Sequence, residues 1–306
     1  MTALPIARYR FNCVVTSAIQ LPFFSGSALR GAFGHVLRKT SCMTRQSDCT
    51  GCPLRQTCPY SVIFDPLPAV NTSIKPEQTP PAYILEPLPL GTRELKAGDA
   101  FHFQMVLLGE ARHQLALIVF VWEQLLARGL RIPEGQGRLL SVDWLLDQHQ
   151  SVRVYQPKAA LVSHSAELQI PAIPAADTCS LNFVTPTRIR QEGHKMNAQS
   201  MDLAALLQAI ERRIRLLNKQ FGWQWDLATP ALPSAMKINQ PLLRWQDWVR
   251  YSSRQEQEMI LGGVLGEWIV SFSELHAWWP MLYLGQWLHV GKNAAFGMGQ
   301  YQLSLS

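Results

Sequence analysis

The chain has 306 residues, 28 Lys plus Arg against 22 Asp plus Glu, and 47% hydrophobic residues, which suits one large or two ordinary domains with cores of their own. Only 16% of residues are charged, while 10 Trp, 12 Phe and 7 Tyr supply large apolar surfaces, and this excludes an intrinsically disordered chain. The net charge of +6 favours a polyanionic partner without identifying one.

Arg8, Arg10, Asn12 and Gln20 break the apolar start of the chain, so no secretory signal is expected and the protein is expected to stay in the cytoplasm. Residues 7–15, rich in Val, Tyr and Phe, predict a strand, followed by a turn at Pro22 and Ser25–Gly26. From Ser27 to Lys39 the residues Leu29, Ala32, Phe33, Val36 and Leu37 recur at helical spacing and predict an amphipathic helix. Residues 41–99 hold nine of the 20 prolines and four of the six cysteines, and read as an irregular insertion.

Beyond it, Ala100–Leu108 predicts a strand, Arg112–Arg128 a helix and Gly137–Trp144 a strand. The run Leu115–Trp122 is closed by Glu123 and Gln124, far short of the roughly 20 residues of a membrane span. One more strand at Tyr83–Leu85 completes a β-α-β-β-α-β ferredoxin-like (RRM-like) unit over residues 1–150. A Pro- and Ala-rich boundary region is expected within 151–178, and residues 179–306 repeat the plan. That second unit has a strand at Leu181–Arg190, a helix at Asp202–Gln220, two strands within Leu242–Phe272, a helix at Glu274–Leu288 and a strand at Gln300–Leu305. The expected class is α+β, two tandem ferredoxin-like domains with a cysteine-rich insertion in the first.

Cys42, Cys49, Cys52 and Cys58 fall within seventeen residues in a C-x6-C-x2-C-x5-C pattern. In a reducing compartment such spacing suits a metal, because thiolates are soft ligands and a C-x-x-C turn presents two together. Four thiolates would close the coordination shell, which argues for structural zinc; an iron–sulfur cluster uses the same ligands. Cys13 and Cys179 read as core residues.

The segment 291–299, Gly-Lys-Asn-Ala-Ala-Phe-Gly-Met-Gly, places three glycines and Lys292 between a helix and a strand. Such a backbone can approach a phosphate closely, although it is not a Walker A loop, since no Ser or Thr follows the lysine.

The tail Leu-His-Val-Gly-Lys-Asn-Ala-Ala-Phe-Gly-Met-Gly-Gln-Tyr (288–301) resembles the C-terminal signature of the CRISPR-associated endoribonucleases that process precursor crRNA, members of the repeat-associated (RAMP) superfamily. Blocks 183–188, 245–254 and 27–35 and the Cys58-Pro-Tyr60 end of the cysteine segment are similar to that family in matching order. The resemblance implies two ferredoxin-like domains and a metal-independent transesterification of CRISPR repeat RNA. In that reaction the ribose 2′-hydroxyl attacks the adjacent phosphate, leaving a 2′,3′-cyclic phosphate and a 5′-hydroxyl. Binding of the crRNA product and contact with other CRISPR effector subunits are implied as well.

That chemistry requires a general base, a general acid and cations around the phosphorane, and histidine suits the proton transfers. His35 stands where many family members carry the catalytic histidine. On a helical wheel it lies about 130° from the Leu29/Phe33/Val36 stripe, with Arg38 and Lys39 one turn on. His35 and Lys39 are therefore the expected catalytic pair. The family pattern also includes a tyrosine near the histidine, and none lies between Tyr9 and Tyr60. His289 and His194 are the other histidines placed to meet RNA, with His289 reading as packed. Expected RNA contacts are Arg30, Arg38, Arg188, Arg190, Lys195, Arg244, Arg250 and Arg254, with Gly291, Lys292, Asn293, Gly297 and Gly299 of the loop. On the second-unit helix, Arg212, Arg215 and Lys219 make a basic face. Two other readings stand beside this one: a non-cleaving RNA-binding subunit of the same superfamily, and an iron–sulfur redox enzyme.

Overall fold

The computed structural model describes residues 3–130, 135–191, 193–223, 228–233, 242–252 and 257–306. The chain divides into two compact units, one of Ala3–Leu168 with Lys219–Trp223, the other of Gln169–Asn218 and Gln224–Ser306.

In the N-terminal unit, β1 (Ile6–Val15), β2 (Tyr83–Glu86), β3 (Ala100–Leu108), β4 (Gly137–Leu145) and β5 (Ser151–Tyr155) form a five-stranded sheet in the order β2-β3-β1-β4-β5. Every neighbouring pair is antiparallel. Helix α1 (Gly26–Ser41) follows β1 and α2 (Leu115–Arg128) follows β3. Strands β1 to β4 with these helices are the ferredoxin-like unit expected from the sequence, and β5 extends its edge from the start of the Pro- and Ala-rich stretch.

The pleat of β1 turns Tyr9, Phe11, Cys13 and Val15 inward. They meet Leu29, Phe33, Val36 and Leu37 of α1 and Ile118, Trp122 and Leu125 of α2 in one core. Trp122 joins the layers: its ring centroid is 4.2 Å from that of Phe103 and 5.4 Å from that of Phe33, and its indole N–H donates to Met105 Sδ at 3.0 Å. The middle of the other face of β1 carries polar residues, Arg8, Arg10 and Asn12. Arg10 Nη2 (3.1 Å) and Asn12 Nδ2 (2.8 Å) donate to Asp143 Oδ2, while Arg153 Nε donates to Oδ1 at 2.7 Å.

The C-terminal unit repeats the pattern with β6 (Thr178–Thr187), α3 (Leu203–Phe221, of which residues to Asn218 belong here), β7 (Leu242–Ser252), β8 (Gln257–Ser271), α4 (Trp279–Leu288) and β9 (Tyr301–Leu305). Its sheet order is β7-β8-β6-β9, the same permutation as β2-β3-β1-β4. Trp278 and Trp279 are buried, and the Tyr301 hydroxyl donates to the Leu282 carbonyl at 2.6 Å.

Two helices start later than their apolar periodicity suggested. Gly109–Gln114 and Ser273–Trp278 are 3-10 turns that lead into α2 and α4. In α4 the reason is Pro280, which lacks an N–H to bond within a helix and fits only its first turn. Strand β6 ends at Thr187 rather than Arg190, its pairing with β8 losing register after Phe183 as the chain passes through Pro186.

Candidate active site and nucleic-acid interface

The core stripe of α1 fixes which of its side chains reach solvent. Leu29, Phe33, Val36 and Leu37 are buried, and this turns His35 and Lys39 outward one turn apart. His35, Arg38, Lys39, Cys42, Arg45 and Gln46 line one open depression of about 690 Å³. Arg38 and Lys39 lie in the last turn of α1, where cations face the partial negative charge of the helix end.

Arg45 was not anticipated, because an irregular segment has no periodicity from which to place a side chain. It stands in the left-handed region, φ 55°, three residues beyond Cys42.

Two arginines expected at phosphates have partners inside the protein. Arg38 Nη2 donates to the carbonyls of Gln46 (2.8 Å) and Ser47 (2.6 Å), and its guanidinium carbon lies 5.9 Å from the centroid of the Tyr60 ring. It ties the cysteine segment to the end of α1. Arg30 stacks on Phe64, 4.6 Å from the ring centroid. Tyr60 is the first tyrosine after Tyr9 in the sequence, and the fold brings it beside Arg38; burial raises its phenol pKa above the ordinary value.

Cys42, Cys49, Cys52 and Cys58 are free and half-buried, and all four line one small cavity of about 20 Å³ with Arg38, Thr44, Arg55 and Tyr60 among its neighbours. Thr44 Oγ1 lies 3.8 Å from Cys42 Sγ and 3.7 Å from Cys52 Sγ. That hydroxyl, above all, lowers the Cys42 thiol pKa, whereas burial raises that of Cys49. Among the described residues no group of three or more His, Cys, Asp or Glu side chains is placed to hold a metal ion. Cys13 and Cys179 are buried, as expected of core residues.

The C-terminal unit gathers a second set of cations. Arg188, Arg190, Arg212, Arg213 and Lys292 line a single depression with Gly291. Arg190, Arg212 and Lys292 are exposed. Lys195 pairs with Arg190 across the short Arg190–Gln191 and His194–Lys195 ribbon, which puts it at the edge of the same patch. Arg213 was not singled out from the sequence; its Nε donates to the Leu288 carbonyl at 3.2 Å.

The glycine-rich loop is folded differently from the open phosphate cradle its sequence suggested. The N–H groups of Lys292 and Gly299 donate to the carbonyls of Arg188 (2.9 Å) and Pro186 (3.1 Å), and those of Phe296 and Gly297 donate within the loop. A β-carbon on Gly291 would overlap the Arg188 carbonyl, and one on Gly299 the Val290 carbonyl. These two glycines let the loop lie against the end of β6, so the cationic reach of the loop comes from Lys292. Asn293 and Gly297 supply its left-handed turns, at φ 67° and 96°.

His289 is fully buried, with Nδ1 donating to the Met298 carbonyl at 3.1 Å, in keeping with a packed histidine. His194 is exposed on the short ribbon. Arg244 is exposed on β7 and donates to Gln246 Oε1 at 3.2 Å; it does not line the depression. Arg250 lies on β7 with its side chain outside the described residues, and Arg254 lies wholly outside them. Arg215 pairs with Glu211 at 2.7 Å.

No helix is long and apolar enough to cross a membrane among the described residues. No curated protein matches the sequence. Among solved structures the chain is similar to a partial Cas6-RT-Cas1–Cas2 complex, with a TM-score of 0.56 and 14% identity over 100% of this chain and 46% of that one. A Cas6-RT-Cas1–Cas2 complex gives 0.56 and 14% over 100% of this chain and 29% of that chain. The chain therefore spans less than half the length of either protein. A Cas6 product complex from Thermus thermophilus gives 0.54 and 15%, over 98% of this chain and 100% of that one. At these identities the likeness is one of fold. A family model of an N-terminal domain, AF_1859_N, matches residues 4–167, more than half of the chain, and the model described as CRISPR-associated endoribonuclease Cas6 matches residues 181–301. The chain thus belongs to the AF_1859_N family through its first unit, and its second unit carries the match to the CRISPR-associated endoribonuclease Cas6 model.

Proposed function

We propose that this chain cuts CRISPR repeat RNA within precursor transcripts by a metal-independent transesterification. The observation that carries the reading is the pairing of His35 and Lys39 on the solvent face of α1, in one depression with Arg45. A bond forms between the ribose 2′-oxygen and the phosphorus, and the bond from phosphorus to the 5′-oxygen breaks. His35 exchanges a proton with the attacking 2′-hydroxyl or the departing 5′-oxygen, a role worth about 10²–10⁴ in rate. Lys39 and Arg45 supply positive charge to the phosphorane oxygens. The nucleophile belongs to the substrate and the cations are side chains, so the reading assigns no step to a metal.

The depression of Arg188, Arg190, Arg212 and Lys292 binds the RNA backbone in this account. The Cas6 domain favours this reading over the redox-enzyme alternative. The similar solved structures include a Cas6 product complex and Cas6-RT-Cas1–Cas2 complexes, and by analogy the cut RNA and other CRISPR proteins are the partners of this chain. Incubation with a repeat RNA in excess EDTA tests the reading. A single cut that leaves a cyclic phosphate supports it; tight binding without a cut makes the protein a crRNA-holding subunit instead.

A further inference from the structure

We propose that the segment between α1 and β2 binds one zinc ion through Cys42, Cys49, Cys52 and Cys58, as a structural site that anchors the loop bearing Arg45 to the end of α1. No residue from Cys42 to Tyr60 is buried, so this stretch has no apolar core to hold its shape. Chain segments of that kind keep a defined fold through cross-links, and a thiolate metal site is the cross-link compatible with reducing conditions. Cysteine is otherwise among the most buried residue types, as Cys13 and Cys179 illustrate here. Four half-exposed thiols around one cavity have no packing reason to be there.

The backbone carries the local turns such a site would use. The Cys52 N–H donates to the Cys49 carbonyl at 3.3 Å, making the tight turn of a C-x-x-C pair. The Cys58 N–H donates to the Leu54 carbonyl at 2.8 Å and returns the fourth cysteine to the first three. Cys42 caps α1, its N–H bonded to the Arg38 carbonyl, so the site would be fixed to the helix that carries His35.

Four thiolates suit a single zinc ion, while an iron–sulfur cluster uses the same ligands. A cavity of about 20 Å³ has room for one water-sized particle and so for a single ion. Four thiolates around a divalent ion carry a net double negative charge; the cavity lining brings Arg38 and Arg55 near it, together with the Asp48 carboxylate, and Arg55 also pairs with Asp65 at 3.3 Å. Thr44, between Cys42 and Cys52, can donate its hydroxyl to a thiolate of the site. The described side chains are not yet grouped to hold an ion, so binding would draw the sulfurs in to roughly 2.3 Å from the metal.

The proposal is independent of the cleavage reading, and its test contains no RNA. The whole chain, purified under reducing conditions, is assayed for zinc, iron and acid-labile sulfide, and its six thiols are titrated with an alkylating reagent. One zinc per chain is expected, with four thiols protected until the ion is displaced. Exchange for cobalt should give the visible bands of a tetrahedral site and a sulfur-to-cobalt charge-transfer band. Cys49→Ser and Cys52→Ser, each checked for folding by circular dichroism, should lose the stoichiometric ion, while His35→Ala keeps it. A wild-type chain that neither carries nor takes up zinc or cobalt overturns the proposal, as does iron with acid-labile sulfide, or an ion retained by the cysteine variants.

Discussion

Gly34 and Phe64 pack so closely that a β-carbon at position 34 would overlap the Phe64 ring. Gly34 immediately precedes His35 on α1, and Phe64 follows the short helix Pro59–Ile63 at the far end of the cysteine segment. Phe64 also stacks on Tyr60 and Tyr83, with centroids 5.3 Å and 5.6 Å apart. The exit of the segment is thereby held against the turn that presents the candidate catalytic histidine.

Gly34→Ala sets two effects against each other. Alanine gains up to about 1 kcal/mol of helix propensity over glycine, whereas forcing a ring out of a packed site costs about 1–3 kcal/mol. The overlap should win, and chemical denaturation should show a net loss of stability. An unchanged or raised midpoint would mean that the ring shifts freely.

Arg45 is predicted to matter for cleavage although only the fold brings it to the site. Arg45→Ala and Lys39→Ala should each slow single-turnover cleavage about 10- to 100-fold, with a smaller loss of RNA affinity. Equal losses in rate and affinity would make these residues binding contacts alone.

In the C-terminal unit, Lys292→Ala and Arg190→Ala should weaken RNA binding and lower the slope of log affinity against log salt by about 0.7 each, as for one phosphate contact on a single strand. Filter binding across a salt series measures this. An unchanged slope would remove the residue from the RNA path.

Burial acts to raise the Asp143 carboxyl pKa, but hydrogen bonds from Arg153, Asn12 and Arg10 outweigh it and leave the group below its ordinary value of 3.8. A lowered folded-state pKa contributes stability that is present above the unfolded value and lost as pH falls through the folded one. Asp143→Asn should cost about 2 kcal/mol at neutral pH, with a difference from wild type that shrinks below about pH 4. Equal stability at pH 7 would show that the cluster contributes nothing net.

The ferredoxin plan was legible because burial is periodic. Tyr9, Phe11 and Cys13 alternate along β1, and Leu29, Phe33, Val36 and Leu37 recur along α1. The same wheel that buried Phe33 turned His35 and Lys39 outward. Residues outside a period were not legible. Arg45 lies in an irregular segment, and Arg38 is engaged by the carbonyls of Gln46 and Ser47, which only the folded chain brings near. The loop 291–299 showed its glycines but not their use, since a positive φ serves a backbone packed on β6 as well as one open to a phosphate.

The most direct test of the account is cleavage of a matching repeat RNA in excess EDTA by wild type and by His35→Ala. The account predicts one cut with a 2′,3′-cyclic phosphate end in wild type, slowed at least about 100-fold in the variant while RNA binding persists. A variant that cuts at the wild-type rate would remove His35 from the chemistry, and a wild type that binds without cutting would contradict the endoribonuclease reading itself.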